Sequence, residues 1–552
     1  MKATAELFFH GAAETVTGSC YRVVLGDGWT GRDERDRQPR RKARGGPGGL
    51  SFLVDCGLFQ GTKTLARLNY GPFPFDPKAI DFLLLTHAHI DHSGLIPKLT
   101  KHGFAGPVYA TQATRDLLGY MLPDSGHIQE MEVQLLNKRN RRRGRAAVEP
   151  IYTHADAEAA LERIRPVALL EWFEPAPGVR ARFWNAGHIL GSASIEVEID
   201  ASPDERPIRL LFSGDVGPWE KPFHADPSAP TDLDYLVVES TYGNRDRPRL
   251  STAERRELLR RELAAGLKGE GIVLIPSFAI ERTQELLYDI GVLMETRALP
   301  PTPVFLDSPL AVRATGVFSA HAAELEEKDF DRLVVRNRNF RFTQSADESI
   351  ALARIGGNAI IMAASGMCEA GRIRHHLKNN LWRRNATVLF VGYQAPGTLG
   401  RIILDGGKPV RIQGEEVAVN ARVRALDSYS AHADRAELAR WAIARLPVRG
   451  AVFLTHGEGE ALEGLKQSLT EIGTPTRQLL IPRLGESFRL VGGGRPARGV
   501  GLPVFPRAEV AVADWHNAYA QFLLGLGIRL QGLDNGARVK LLARLKRDLG
   551  EG

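Results

Sequence analysis

Cysteine is scarce in this chain: three among 552 residues, Cys20, Cys56 and Cys368, with no two close in sequence. An odd, scattered set argues against a disulfide framework, and a reducing compartment is the simplest setting. No run approaches the ~20 consecutive apolar residues that a membrane span requires. The N-terminal stretch MKATAELFFHGAAETVTGSC carries Glu6, His10 and Glu14, which interrupt any apolar core of a signal peptide. A cytoplasmic protein without a membrane partner is therefore expected. There is no internal repeat and no long low-complexity tract.

What is present is ordinary for a globular protein: 43% hydrophobic and 25% charged residues. The chain is too long for one hydrophobic core, so two or three domains are expected. The formal net charge of +7 is compatible with a polyanionic partner but does not by itself demand one.

Short apolar runs at Leu7–His10, Tyr21–Leu25 and Phe52–Asp55 read as strands. Residues 26–49 are dense in Arg, Asp, Gly and Pro with almost no apolar side chain, and read as a flexible hairpin loop. Phe82–Leu85 is a continuous apolar run, and a helical pattern begins at Leu95–Lys101. Residues 108–165 look largely helical, with a basic knot, KRNRRRGR, at 138–145. Further strands are expected at Arg180–Trp184, Ser194–Ile199, Ile208–Phe212 and Tyr235–Val238. A charged helix follows at 252–268. Strand candidates Ile272–Ile275, Val304–Leu306, Ala359–Met362 and Thr387–Val391 then alternate with helical stretches such as Arg282–Leu293. That alternation predicts a parallel α/β domain in the middle of the chain. Strand-like Ala451–Leu454 leads into THGEGE. The tail from about 507 to 549 reads as two helices carrying Trp515, Tyr519, Phe522, Leu523 and Leu526. Self-association into a homodimer through this tail is weighed against its packing back on the same chain.

The strongest chemical signal is His87-Ala-His89-Ile-Asp91-His92, where four ligand-type side chains sit within six residues after an apolar strand. Imidazole and carboxylate suit zinc. On an extended loop His87 and His89 point the same way, while Asp91 and His92 follow at the turn into a helix, so one segment can serve two adjacent metals. A lone histidine would more often be structural; a cluster of this density rarely is. His188 in NAGHILGSAS, Asp215 in LFSGDVG and His456 in FLTHGEGE each follow an apolar run and are flanked by Gly or Ser, which admit close backbone approach.

HAHIDH followed by AGHILGS and FSGDVG resembles the ordered motifs of the metallo-β-lactamase superfamily, and VDCGLFQG with Asp55 is similar to its first motif. The resemblance implies that Asp55 orients the site without binding metal. It implies that His87, His89 and His188 hold one zinc, that Asp91, His92 and His456 hold the other, and that Asp215 bridges them. VVESTYGNR with Glu239, SYSAHADRAEL with His432 and FLTHGEGE with His456 resemble motifs A, B and C of the β-CASP family. PSFAIERTQELL, FLDSPLA and ASGMCEAGRIRHHL also look like β-CASP segments, and the resemblance extends over residues 5 to about 490.

It implies an α/β protein: a metallo-β-lactamase αββα sandwich with an inserted parallel α/β β-CASP domain. The expected divisions are 1–240 and 428–495 for the sandwich, 241–427 for the insertion and 496–552 for a helical extension. It implies a zinc-dependent RNA phosphodiesterase. His432 would donate a proton to the leaving oxygen, with Glu239 on its other ring nitrogen. His456 at motif C favours RNA, since the DNA-repair branch carries an apolar residue there.

Ser365, Gly366 and Arg372 in SGMCEAGR, which should open a helix, and Arg401 beyond it are candidate phosphate contacts. Arg141–Arg143 in the basic knot fit RNA contact or a solvated helix end equally well. Glu281 departs from the family pattern, which leads one to expect Gly there. The alternatives are a small ester or thioester hydrolase on the same metals and a non-catalytic RNA scaffold. The motifs leave open endonucleolytic and 5′-to-3′ exonucleolytic cutting of single-stranded RNA.

Overall fold

The structure is a computed structural model that describes residues 5–26, 49–61, 63–200, 206–395, 397–501, 526, 529–530 and 533–548. Two mixed sheets stack face to face. One runs in the order Ala497–Arg498, Ser487–Leu490, Ala5–Phe9, Tyr21–Leu25, Leu50–Val54, Phe82–Leu84, Val108–Ala110, Ile164–Pro166. The other runs Leu479–Leu480, Ala451–Thr455, Tyr235–Glu239, Ile208–Phe212, Ala193–Ile199, Val179–Asn185, Phe173–Ala176.

Alternation along each strand sorts its side chains between the layers. Phe52, Val54, Phe82 and Leu84 face the opposite sheet, where they meet Phe183, Val197, Phe212 and Phe453. Leu53, Leu83 and Leu85 point the other way, under helix Ile96–Lys101 and the first half of helix Gln112–Arg142. The outer face of the second sheet, with Leu236 and Val238, is covered by helices Arg435–Ile443 and Gly459–Glu471. The result is an αββα sandwich. Aromatic rings fill its middle: Phe52 stacks on Phe82 at 4.7 Å, and Phe453 lies 5.2 Å from Phe9 and 5.1 Å from Phe488. Burying a ring of this kind contributes about 1.5–3 kcal/mol.

Between Tyr235–Glu239 and Ala451–Thr455, which pair in parallel, the chain builds a third sheet. Its six strands run in the order Phe340–Thr343, Val304–Asp307, Ala359–Ala363, Ile272–Pro276, Ala386–Phe390, Arg422–Ala425, and every pairing is parallel. The four central strand candidates fall where the apolar runs predict them. The two flanking strands carry Arg and Thr in place of a continuous apolar run, and so gave no strand signal. Both sheet faces are covered by helices, as parallel strands require.

Tyr21–Leu25 and Ile208–Phe212 form with the expected ends, and the other expected strands shift by one or two residues. The stretch 108–165 contains helices Gln112–Arg142 and His154–Leu161, but strands Val108–Ala110 and Ile164–Pro166 bracket them. Tyr21–Leu25 pairs antiparallel with Leu50–Val54. Residues 27–48 of the expected hairpin loop lie outside the described residues. So do Trp515, Tyr519, Phe522 and Leu523 of the tail; the described part of the tail includes helix Asn535–Asp548. Among the described residues no helix is long and apolar enough to cross a membrane.

Candidate metal centre and the cleft above it

Parallel pairing brings the C-terminal ends of several strands to one edge of the sandwich. Asp55 follows Leu50–Val54, His87 follows Phe82–Leu84, Asp215 follows Ile208–Phe212, Glu239 ends Tyr235–Glu239 and His456 follows Ala451–Thr455. His188 sits in the turn between Val179–Asn185 and Ala193–Ile199. Asp91 and His92 lie on the short helix Ile90–Ser93, the expected turn into a helix. Asp55 and His456 adopt left-handed backbone, with φ of +61° and +47°. Non-glycine residues held there tend to cluster at functional sites.

The donor atoms fall into two groups. His87, His89, His188 and Asp215 each present one ligand atom, all within 4.8 Å of one another, and so do Asp91, His92 and His456. Asp215 stands between the groups. Its Oδ2 lies 3.6 Å from His87 Nε2 and 3.5 Å from His188 Nε2, and its Oδ1 lies 3.3 Å from His92 Nε2 and 3.5 Å from His456 Nδ1.

The donor set fits metal ions on its own chemistry. His188 Nδ1 donates to the Ala431 carbonyl at 2.9 Å, leaving the Nε2 lone pair free to bind. His92 Nδ1 donates to Asp55 Oδ2 at 2.7 Å, with the same consequence. Ring nitrogens converge: His89 Nδ1 is 3.2 Å from His87 Nε2 and 3.1 Å from His188 Nε2, and His92 Nε2 is 3.2 Å from His456 Nε2. Asp215 Oδ1 is buried without a hydrogen-bond partner. Ring nitrogens crowded around an orphaned carboxylate oxygen are a setting that a cation satisfies. A histidine-rich set with carboxylates is one that suits zinc.

Electrostatics point the same way. Burial, reinforced by neighbouring imidazoles, holds His87 and His188 well below the usual histidine range, and burial brings His89 down to about 4. All three are neutral donors at physiological pH. Burial also lowers His92 and His456, but Asp215 outweighs it and raises both. A bound cation would replace those protons as the balance for the buried carboxylates.

Asp55 does not join either donor group. Its carboxylate accepts from the Thr86 N–H at 2.9 Å, from Thr86 Oγ1 and from His92, so it sets a ring orientation. Thr86, between the apolar strand and the histidines, also contacts His87 Nδ1 at 3.0 Å. Its position directly before HAH was the only available sequence signal.

Glu239 and His432, 193 residues apart, meet here: His432 Nδ1 is 3.3 Å from Glu239 Oε1. His432 Nε2 faces Asp215 Oδ2 at 3.9 Å, and the ring keeps 20% of its surface exposed. Glu239 also lies within ligand distance of Asp215 and His456. Its Oε1 accepts the Val216 N–H at 2.6 Å and its Oε2 the Thr241 N–H, so both oxygens are engaged without a metal. The geometry favours orientation of His432 as its role.

Three family models match in chain order: the metallo-β-lactamase superfamily over residues 46–234, the β-CASP domain over 283–403, and the Zn-dependent metallo-hydrolase RNA specificity domain over 416–478. Ribonuclease TTHA0252 of Thermus thermophilus is 36% identical over 483 residues, which cover 86% of this chain and 98% of the relative. The chain belongs to the β-CASP family of the metallo-β-lactamase superfamily. An RNase J-like protein of Methanocaldococcus jannaschii is 29% identical over 90% of this chain and 99% of its own length. The transcription termination factor FttA of Methanosarcina mazei is 30% identical over 76% of this chain and 65% of its own length.

The β-CASP insertion presents the expected phosphate contacts unevenly. Helix Ile373–Asn380 does begin after SGMCEAGR. Ser365 is half-buried, and Gly366 is buried against the Phe278 ring. Arg372 is committed elsewhere: it donates to Asp307 Oδ1 at 2.7 Å and to the Gln344 carbonyl. Arg401 pairs with Asp405 on its own helix at 2.6 Å. Each would have to leave a carboxylate to meet a phosphate. Arg141–Arg143 lie at the far end of the 31-residue helix Gln112–Arg142. That helix is about 45 Å long, and its first turn contacts Gly191 beside the metal centre.

Another arginine differs from these in lacking a carboxylate partner among the described residues. Arg282 is 9% exposed, lies over the Phe278 ring at 4.9 Å and donates through Nε to the Tyr429 carbonyl. Among the described residues no carboxylate pairs with its guanidinium, and burial lowers its pKa. Glu281 beside it has φ of +69°, the conformation that makes Gly the expected residue. Its carboxylate accepts from the Leu190 N–H and from His224, and lies 3.6 Å from Lys221.

Proposed function

We propose that this β-CASP protein is a two-zinc ribonuclease that hydrolyses phosphodiester bonds in single-stranded RNA. The observation that carries the reading is the Glu239–His432 contact at the rim of the donor cluster. A thioesterase or lactonase on the same metals needs no such pair, and a non-catalytic scaffold would not keep every donor in place. The relatives named as ribonucleases support the same substrate class.

His87, His89 and His188 would hold one zinc, Asp91, His92 and His456 the other, and Asp215 both. The bound pair would supply Lewis acidity that activates water and offsets charge on phosphoryl oxygens. The chain's own residues do the rest. Glu239 accepts from His432 Nδ1 and orients the ring, which leaves Nε2 on the exposed side, where it can hand a proton to the leaving oxygen. Arg282, without a carboxylate of its own, is placed to meet a backbone phosphate. A site overhung by the insertion would suit a thin, flexible strand better than a stiff A-form duplex.

The test is product length from 5′- and 3′-labelled RNA, single-stranded and as the matching blunt duplex, alongside a small ester and a thioester. Metal-dependent cutting of the single strand is expected, with product lengths distinguishing endonucleolytic from exonucleolytic action. Faster turnover of either ester than of RNA would return the site to the small-molecule hydrolases.

A further inference from the structure

Outward from His432 runs a line of aromatic rings that the chemistry above does not use. Tyr242, in the turn after Tyr235–Glu239, sets its ring 5.8 Å from the His432 ring at 79°. Tyr393, beyond strand Ala386–Phe390 of the insertion, sits 6.5 Å from Tyr242 at 80°. The Arg245 guanidinium lies over Tyr393 at 4.9 Å, and Arg247 lies over Tyr242 at 5.5 Å.

The two cations differ. Arg247 is anchored to the His432 carbonyl and to Glu437. Arg245 is exposed, and no described carboxylate pairs with it. Around the Tyr393 phenol, Arg245 and Arg401 oppose the acidic Glu458. Both tyrosines are half-buried and belong to none of the hydrophobic cores. An edge-to-face pair leaves one ring with both faces clear of its partner. Tyr242 follows the sandwich strand Tyr235–Glu239 and Tyr393 follows a strand of the insertion sheet, so the two rings meet where the chain passes between sandwich and insertion.

We propose that Tyr242, Tyr393 and Arg245 form a base-stacking subsite for the nucleotide on the leaving-group side of the scissile phosphate. The inference rests on the ribonuclease reading and deepens it. Aromatic rings beside an unpaired guanidinium group, here Arg245, can hold a single strand without base-specific hydrogen bonds. The place of the subsite follows from contact with His432, the proton donor to the leaving oxygen. A small ester has no planar base to place there.

The experiment mixes the zinc-loaded full chain with short single-stranded RNA carrying 2-aminopurine at successive positions, and follows fluorescence in stopped flow before cleavage. Quenching confined to one or two positions is expected for the wild type and for Tyr393→Phe, and its loss for Tyr393→Ala. KM should rise about 5- to 100-fold in Tyr393→Ala, with kcat changing much less, and Arg245→Ala should raise KM in the same direction. A comparison that needs no variant guards against misfolding: an abasic ribose at the quenched position should weaken binding to the wild type by a similar factor. RNA that is bound and cut equally well with an abasic residue at every position overturns the subsite alone. So does Tyr393→Ala with wild-type quenching and KM. A wild type that binds no RNA overturns the ribonuclease reading and the subsite with it.

Discussion

Glu281 accepts the backbone N–H of Leu190 at 3.1 Å, which ties the first residue before helix Arg282–Glu295 to the loop that carries His188. The same carboxylate accepts His224 Nε2 at 2.7 Å, and Lys221, 8% exposed, reaches both it and the His188 carbonyl. Insertion and metal loop therefore share one buried charge cluster. Glu281→Ala leaves Lys221 with Glu285 as its one carboxylate and leaves His224 and the Leu190 donor unpaired, an effect of up to about 3–5 kcal/mol. Glu281→Gly loses the same contacts but relieves the left-handed backbone, worth ~1–3 kcal/mol. Thermal unfolding should rank wild type above Glu281→Gly, and Glu281→Gly above Glu281→Ala. The reverse order of the two variants would show that the backbone there is not strained.

Asp55→Asn keeps the shape of the site but replaces an acceptor of His92 and Thr86 with a group that also donates. His92 then loses the partner that fixes its ring and tautomer. Zinc affinity should fall by ~10–100-fold, read by competition with a chromogenic chelator. Unchanged affinity would mean that Thr86 alone suffices to orient the ring.

His432→Ala removes the proposed proton donor and no member of the two donor groups. Both metals should remain, measured by elemental analysis of purified protein, while RNA cleavage drops by about 10²–10⁴-fold. Loss of a metal would make His432 a ligand; wild-type cleavage would remove it from the chemistry.

The compact HAHIDH segment made most of the metal centre legible, because a strand end delivers four donors at once. His188, Asp215 and His456 were legible through their Gly and Ser neighbours and the family resemblance. Thr86 went unseen because its one signal was its place directly before HAH, and a threonine there carries no ligand chemistry of its own. The pairing of Arg372 was not legible for a physical reason: sequence displays a cation but not its carboxylate, and Asp307 lies 65 residues away. Arg282 and Tyr393 take their meaning from neighbours in other segments, which no local pattern encodes.

His321, which caps helix Pro309–Ala320, gives a pH dependence remote from the metals. Its Nε2 meets Asp116 at 2.8 Å and its Nδ1 meets Glu324 at 2.6 Å. Burial lowers its pKa, but the two carboxylates outweigh it and raise it overall. A raised folded value means stabilisation that is complete below the unfolded value of ~6.5 and lost as pH climbs through the folded one. The Tm difference between wild type and His321→Gln should be widest in mild acid and narrow as pH rises above neutral. A gap that widens with rising pH would contradict the assignment of His321 as a charged clamp.

Arg282 and Arg372 separate binding from folding. Arg372 shares Asp307, which is fully buried, with His376, Ser349 and Thr343. Arg372→Ala strips a charge partner from that carboxylate, so its main effect should be a lower Tm. Arg282 has no carboxylate to strand, and its removal relieves a desolvated cation. Arg282→Ala should therefore cost little stability beyond its contact with Phe278 and its bond to the Tyr429 carbonyl. Its loss should appear in RNA binding. One phosphate contact fewer makes the slope of log affinity against log salt shallower by about 0.7 for a single strand. The two variants should thus move opposite observables: Arg372→Ala the melting curve with the salt slope intact, Arg282→Ala the salt slope with the melting curve nearly intact. If Arg372→Ala flattens the slope and Arg282→Ala does not, the phosphate lies over helix Ile373–Asn380, and Asp307 must release its arginine when RNA enters.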